Sequence, residues 1–197
     1  MSRKNIPTIA QCLEYIERYE MLDNIRAHSY TVAEVAQTLL HGLFKTLGSG
    51  RNLPAENEVI AGALLHDIAK TPCLKSGCNH AREGQRICVE LGHPEIGIIV
   101  AEHVILEDFA SKRYRQGIFN AREIVFYADK RVRHDRVVSL AERLEYILER
   151  YGNGDPVRER HIRLNFSKTV QFENIIFTFL DFHPENLPEM IPPVSRY

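Results

Sequence analysis

The feature that most constrains this chain is the helical spacing of its apolar residues, which recurs along most of its length. Apolar side chains three and four positions apart lie on one face of a helix. Between residues 56 and 69 they cover nearly every face, as expected for a helix in the middle of a bundle. Further helices are predicted at 8–20, 28–47, 80–91, 94–105, 119–132, 139–152 and 156–182. These spacings predict an all-α protein that folds as a helical bundle.

The breaks between these helices are short, and none of them marks a second domain. Residues 71–79, which include Pro72 and Gly77, are predicted to form a loop. Residues 184–197 hold four prolines and are predicted to be an extended C-terminal tail. At 197 residues the chain is long enough for a substantial core. We therefore predict a single helical domain over residues 1–183, followed by the tail.

The charge of the chain is balanced, with 25 lysines and arginines against 26 aspartates and glutamates. Proteins that bind nucleic acid usually carry a basic stripe or tail, so this balance argues against such a partner. A small phosphorylated substrate needs only a local cluster of positive charge and fits the composition. The N-terminal residues do not resemble a signal peptide, and no segment approaches the roughly 18 apolar residues of a membrane span. We expect no membrane partner, while a monomer and a homo-oligomer both stay open.

The chain has four cysteines, few for this length and without a Cys-x-x-Cys pair: Cys12, Cys73, Cys78 and Cys88. Disulfide cross-linking is therefore not expected, and a reducing cytoplasm fits the sequence best. Cys73 and Cys78 flank the predicted loop. Two free thiols are the simplest interpretation of this pair, and metal binding or pairing under oxidation are the alternatives.

Several titratable residues occupy positions on the apolar stripes, where side chains point toward the interior of a bundle. The full set, drawn in most cases from different helices, comprises His28, His66, Asp67, His80, His103 and Asp129. An ionised carboxylate is costly to bury unless it is paired or bound to a cation. Imidazole and carboxylate groups suit zinc, iron, manganese or cobalt, so these residues are candidate ligands of a divalent metal.

A single histidine on an apolar face is more often a core residue that is hydrogen-bonded to the backbone. That alternative suffices for His28 or His103 alone, but it explains poorly several such residues on successive helices of one small bundle. The dipeptide His66-Asp67 is weak evidence by itself. His134-Asp135 repeats it within a basic run that has no apolar helix before it, and we interpret this second pair as a solvated turn.

The segment Ala63–Lys70, with the sequence ALLHDIAK, resembles the signature of HD-domain phosphohydrolases. Ala69 stands where the commoner form of the motif has glycine. The resemblance spans about residues 22–135 and includes the order of the other candidates, namely His28, His66-Asp67, His80, His103 and Asp129. The two histidines between the His-Asp pair and the last aspartate are similar to the dinuclear branch of the family. That branch includes bacterial diadenosine-tetraphosphate hydrolases and cyclic-dinucleotide phosphodiesterases.

The resemblance implies an HD-type helical fold and a phosphohydrolase that attacks a phosphomono- or phosphodiester with a metal-activated water. A nucleotide is the implied substrate class. One or two divalent ions are implied, of iron, manganese, zinc, cobalt, nickel or magnesium. One ion would be held by the set His28, His66, Asp67 and Asp129, and a second by His80, His103 and Asp67.

Asp67 and Lys70 are the predicted catalytic residues, and Lys70 is also a predicted phosphate contact. The alternative for Lys70 is a helix-end lysine that favours the helix dipole. Lys130, Arg131 and Arg133 are further substrate-binding candidates, against the alternative of a solvated basic face. Two other functions are open: a di-iron oxygenase of the same superfamily, and a regulatory bundle without catalysis.

Overall fold

The computed structural model describes residues 5–48, 50, 52–192 and 197 of the chain. Its helices are α1 (Ile9–Arg18), α2 (Asp23–Leu47), α3 (Glu56–Leu65), α4 (Lys70–Ser76), α5 (His80–Glu90), α6 (Pro94–Glu102), α7 (Ser111–Tyr114), α8 (Ala121–Lys130), α9 (Leu140–Ile147), α10 (Pro156–Ile176) and α11 (Leu187–Met190). Strands β1 (Val132–Arg133) and β2 (Arg136–Val137) pair as an antiparallel hairpin, the only sheet among these residues. The predicted all-α class is confirmed. In the part of the chain that the structure describes, no helix combines the length and apolar character that a membrane crossing needs.

Helix α3 lies in the centre of the bundle, as the sequence predicts. Val59, Ala63 and Leu64 are fully buried, and the helix packs on α2, α6 and α8. Gly62 allows α6 to approach closely, because a Cβ atom at this position would lie 2.8 Å from the side chain of Ile99. The core therefore forms around α3.

Helices α3, α6 and α8 run in the same direction. Residues at their N-terminal ends line one surface cavity, namely Ala55, Glu95 and Ala121. At the opposite ends, His66 follows α3 and His103 follows α6, with their ring centroids 5.0 Å apart. Asp129 lies in the last turn of α8, close to His66. Three helix C-termini therefore meet at one place inside the bundle.

Helix α3 ends earlier than the sequence predicts. It stops at Leu65, whereas the apolar spacing continues to about Ala69, and the residues between them form tight turns. In these turns the amide of Lys70 donates to the carbonyl oxygen of Asp67, three residues back, at 2.8 Å. Bonds of this kind satisfy carbonyl groups at a helix end and tighten the chain. The His-Asp pair therefore stands in a turn between two helices.

The segment 71–79, predicted as a loop, is mostly occupied by α4. Pro72 lies in the first turn of this helix, where an amide N–H has no intrahelical partner to lose. Gly77 ends the helix with a φ of 73°. Cys73 and Cys78, expected to be unpaired, form a disulfide with their Cα atoms 4.7 Å apart. This corrects the expectation, because the turn after α4 brings the two thiols together, and the pair no longer supports a reducing compartment.

The chain after α8 completes the surroundings of the bundle. The hairpin turn contains His134, which is exposed and has a φ of 57°, so the predicted solvated turn is confirmed. Ser139 and Glu142 form the predicted capping box at the head of α9. The tail, predicted to be extended, instead forms a 3₁₀ turn and α11, and Leu187 is fully buried. Residues 193–196 of the tail lie outside the described residues.

Candidate metal centre

The side chains that the sequence singles out as metal ligands converge on one point inside the bundle: His28, His66, Asp67, His80, His103 and Asp129. They come from α2, the turn after α3, the start of α5, the end of α6 and the last turn of α8. All of them except His80 are buried. Where helix C-termini meet, their partial negative charge favours a cation.

The first triad of this centre consists of His28, His66 and Asp129. His28 Nε2 lies 3.0 Å from Asp129 Oδ1, and His66 Nε2 lies 3.9 Å from the same oxygen. The three ligand atoms lie within 4.8 Å of one another, which is close enough to hold one metal ion.

The second triad consists of His66, Asp67 and His103, whose ligand atoms also lie within 4.8 Å of one another. Asp67 Oδ1 is 3.5 Å from His103 Nε2, and Asp67 Oδ2 is 3.4 Å from His66 Nε2. His80 joins this group, because its Nε2 lies 3.4 Å from Asp67 Oδ1. The two triads share His66, so they form one continuous centre.

The backbone fixes the orientation of the buried imidazole rings. Nδ1 donates to a carbonyl oxygen at 2.6–2.8 Å in three of them, from His28 to His134, His66 to Ala63 and His103 to Val100. A carbonyl oxygen only accepts, so the proton of the neutral ring lies on Nδ1. The lone pair of Nε2 then faces the centre, as in metal-ligating histidines.

Two buried atoms at the centre have no hydrogen-bond partner among the described residues, namely His66 Nε2 and Asp67 Oδ1. The two residues are 0% and 1% exposed. An unpartnered buried polar atom costs about 1–3 kcal/mol, and a charged one costs more. A divalent cation would satisfy both atoms, and a mixed imidazole and carboxylate donor set suits manganese, iron, cobalt or zinc. The residues of the centre therefore fit a divalent metal ion.

Both carboxylates of the centre are ionised in spite of their burial. Burial by itself raises the pKa of Asp67, but the charges of Lys70 and His66 hold it well below its usual range. Burial acts in the same direction on Asp129. There the charges of Lys130 and Arg143 outweigh it, and the pKa again lies well below its usual range. The centre therefore carries two negative charges at neutral pH.

The histidines differ in their affinity for a proton. Burial lowers the pKa of His28 and of His103, although carboxylates lie nearby. Burial and the charge of His103 lower the pKa of His80 to about 4. Burial also acts to lower the pKa of His66, but the two neighbouring carboxylates outweigh it and raise that pKa. Three of the rings thus offer a neutral nitrogen near neutral pH, whereas His66 holds a proton more strongly than a free imidazole does.

Two predicted substrate contacts are lysines that bind the carboxylates. Lys70 donates to Asp67 Oδ2 at 2.6 Å, and 29% of its side chain is exposed. Lys130 is buried and donates to Asp129 Oδ2 at 2.7 Å and to the carbonyl oxygen of His103 at 2.8 Å. Of these two lysines, Lys70 is the one that combines contact with the centre and access from outside. We assign Lys130 to positioning Asp129 and His103, in place of the predicted substrate contact.

The two predicted arginines face different parts of the molecule. Arg131 is buried, and its guanidinium group donates to four acceptors, the side chains of Tyr127 and Glu173 and the carbonyl oxygens of Val138 and Pro184. These bonds attach the C-terminal segment to α8, so we assign Arg131 a structural role in place of the predicted substrate contact. Arg133 is half-buried in the hairpin, and its guanidinium carbon lies 4.8 Å from the ring centroid of Tyr146.

Sequence reasoning misses Arg143, which lies on α9. Its Nη2 is 3.3 Å from Asp129 Oδ1, and the residue is 9% exposed. A signal was available, because Arg143 falls on the apolar stripe of Leu140 and Leu144. A charged residue in such a position requires a buried partner, as the candidate histidines do.

A family model described as HD domain matches residues 25–147, which include all six candidate ligands and Arg143. The match concerns the family as a whole, so the dinuclear branch stays a prediction. Searches of the curated proteins and of the solved structures return no significant match. The matched segment is more than half of the chain, and the histidines and aspartates of the centre lie within it. The chain therefore belongs to the HD-domain family, a family of metal-dependent hydrolases.

Proposed function

We propose that the chain is a metal-dependent phosphohydrolase that cleaves a small phosphomono- or phosphodiester, with a nucleotide as the substrate class. The observation that carries this proposal is the pair of buried, unpartnered atoms, His66 Nε2 and Asp67 Oδ1, within a cluster of nitrogen and oxygen donors. Such burial is costly unless a cation is bound. Membership of a family of metal-dependent hydrolases supports the same proposal.

The first triad would hold one ion, while Asp67 and His103, together with His80, would offer ligands for another. His66 Nε2 has one lone pair and can bind only one of the two ions, and the geometry is compatible with one ion or two. The imidazole nitrogens favour iron, manganese, zinc, cobalt or nickel over magnesium, which prefers oxygen ligands.

A bound divalent ion would lower the pKa of a water molecule and would neutralise charge on the phosphoryl oxygens. In the hydrolysis, the water oxygen bonds to phosphorus and the bond from phosphorus to the leaving oxygen breaks. One proton of the water ends on the leaving oxygen. The other proton is shared between solvent and the phosphate product.

The residues of the chain have distinct tasks in this reaction. Asp67 stays ionised because its pKa lies well below its usual range, so it serves as a ligand rather than as a proton acceptor. Burial lowers the pKa of Lys70, but Asp67 outweighs this effect and raises it. Lys70 is therefore charged, and its partial exposure allows it to donate to a phosphoryl oxygen.

The charge around the centre fits an anionic substrate. Three cationic side chains, Lys70, Lys130 and Arg143, contact the two carboxylates at 2.6–3.3 Å. They outnumber the two carboxylates before any metal binds, so a bound divalent ion adds to a net positive charge at the site. Clefts that carry charge of one sign attract ligands of the opposite sign.

The test is release of phosphate or nucleotide by protein whose metal content has been verified by elemental analysis. The substrates are p-nitrophenyl phosphate, bis(p-nitrophenyl) phosphate and nucleoside mono-, di- and triphosphates, with Mn²⁺, Fe²⁺, Co²⁺, Zn²⁺, Ni²⁺ or Mg²⁺. We expect activity that a chelator abolishes and that Asp67→Asn loses. The proposal is contradicted if the metal-loaded protein releases neither phosphate nor nucleotide from any of these substrates.

A further inference from the structure

Beside the first triad lies a group of side chains to which the hydrolysis described above assigns no contact with the substrate. Arg143 reaches Asp129 Oδ1 with Nη2 at 3.3 Å, but its Nε is buried and has no hydrogen-bond partner among the described residues. The residue is nine-tenths buried. A guanidinium group fixed in this way, with a donor left over beside a metal centre, is suited to a phosphate oxygen.

Tyr146, on the next turn of α9, holds two guanidinium groups near one ring. The guanidinium carbons of Arg133 and Arg143 lie 4.8 and 5.5 Å from its centroid. Both distances are within the range of a cation–π interaction. The guanidinium group of Arg133 has no hydrogen bond or ion pair with another described residue, and the nearby carboxylate of Glu142 accepts from Ser139 instead.

The hairpin that carries Arg133 is attached to the metal centre. The carbonyl oxygen of His134 accepts the hydrogen bond from His28 Nδ1, and the His134 ring packs edge-on against Tyr146 at 5.4 Å. The position of Arg133 relative to the ligand His28 is therefore fixed on both sides. Arg143 contacts Asp129 of the centre directly, whereas Arg133 reaches the ring of Tyr146 from the hairpin.

We propose that Arg143 and Arg133, held on the ring of Tyr146, form a phosphate subsite that selects substrates with at least two consecutive phosphates. This inference rests on the proposed function, since it places the first phosphate at the metal centre. Arg143 binds that phosphate from the side of Asp129, and Arg133 binds the next one. Two guanidinium groups near one ring repel each other, and a bridging diphosphate removes this repulsion.

The test measures binding, not turnover, on the full chain loaded with Mn²⁺. Calorimetry gives the dissociation constants of inorganic phosphate and of imidodiphosphate, which presents two joined phosphates and resists hydrolysis. We expect Arg133→Gln to weaken binding of imidodiphosphate by at least about 10-fold, because a charged hydrogen bond is lost. The affinity of Arg133→Gln for inorganic phosphate should equal that of the unaltered protein. Arg143→Gln should weaken binding of both ligands without weakening that of Mn²⁺, because the variant removes a positive charge beside the ligand Asp129.

Matched variants separate the subsite from general charge. Arg136 pairs with Arg133 across the hairpin. It lines a surface cavity together with Tyr30 and Pro188. Arg136→Gln removes the same charge and should bind both ligands as the unaltered protein does. Tyr146→Phe keeps the ring and should preserve imidodiphosphate binding, whereas Tyr146→Leu should weaken it.

The proposal is overturned if Arg133→Gln binds imidodiphosphate as well as the unaltered protein does, or if Arg136→Gln loses as much affinity. A parallel loss of Mn²⁺ affinity in Arg143→Gln would show that Arg143 only positions Asp129. Arg133 is half-buried, so its variant carries the test even when Arg143→Gln is too unstable to measure. Failure of the proposed function would be seen in the release assay, in which the metal-loaded protein would release no phosphate.

Discussion

Asp67→Asn tests the metal centre most directly, because it removes one charge and keeps the volume of the side chain. Asp67 is 1% exposed, and its Oδ1 has no hydrogen-bond partner among the described residues. Lys70 would lose its ion pair, but its side chain is 29% exposed and can turn to solvent. The charge of His66 would also lose its buried partner, so we expect the metal-free variant to be about 1–3 kcal/mol less stable than the unaltered protein.

Asp67→Asn should remove most of the stabilisation that bound metal provides. A ligand at 100 times its dissociation constant stabilises a protein by about 2.7 kcal/mol. For a chain of this length each kcal/mol raises the melting temperature by about 2–4 °C, so Mn²⁺ should raise it by about 5–11 °C. A 100-fold loss of affinity in the variant leaves about 0.4 kcal/mol, or about 1 °C, at the same Mn²⁺ concentration.

The assay is thermal unfolding of chelator-treated protein with and without Mn²⁺. Asp135→Asn is the matched control, because it alters the second His-Asp pair, which lies in an exposed turn. We expect this control to keep the full metal-dependent shift. The reasoning is refuted if Asp67→Asn keeps that shift, or if Asp135→Asn loses it.

Three further results are expected. Affinity for Mn²⁺ should fall as the pH drops through the raised pKa of His66, because a metal ion binds only the deprotonated nitrogen, and calorimetry in buffers of different ionisation enthalpy should show proton release over the same pH range. Arg131→Met should lower the free energy of unfolding in urea by about 3 kcal/mol without altering Mn²⁺ affinity. Reduction of the Cys73–Cys78 disulfide should lower that energy by about 2 kcal/mol, with no effect of reductant on the double serine variant.

The roles of some of these residues could be predicted from the sequence, and those of others could not. The helices and the buried stripe of α3 follow from the spacing of apolar residues, because a helix repeats its faces every 3.6 residues. Histidines and aspartates on such stripes indicate a buried polar centre for the same reason. The local signals at helix starts, such as Ser139 with Glu142, also proved sufficient.

Contacts between side chains of different helices could not be predicted in the same way. His28 Nε2 lies 3.0 Å from Asp129 Oδ1 although the two residues are 101 positions apart, and this contact depends on how α2 and α8 pack. Lys130 and Arg131 are neighbours in the chain, yet one reaches the metal centre and the other reaches the C-terminal segment. A step of about 100° per residue along a helix explains the difference, but only packing shows what lies on each side.

The sequence by itself determined the all-α class and the set of six candidate ligands, because local periodicity decides which side chains turn inward. Only the tertiary structure decided which inward side chains meet. It ended α3 before the His-Asp pair, joined Cys73 to Cys78 and placed Arg143 beside Asp129. The physical reason is that contacts between separate helices are set by packing of the whole core, which no short segment of sequence encodes.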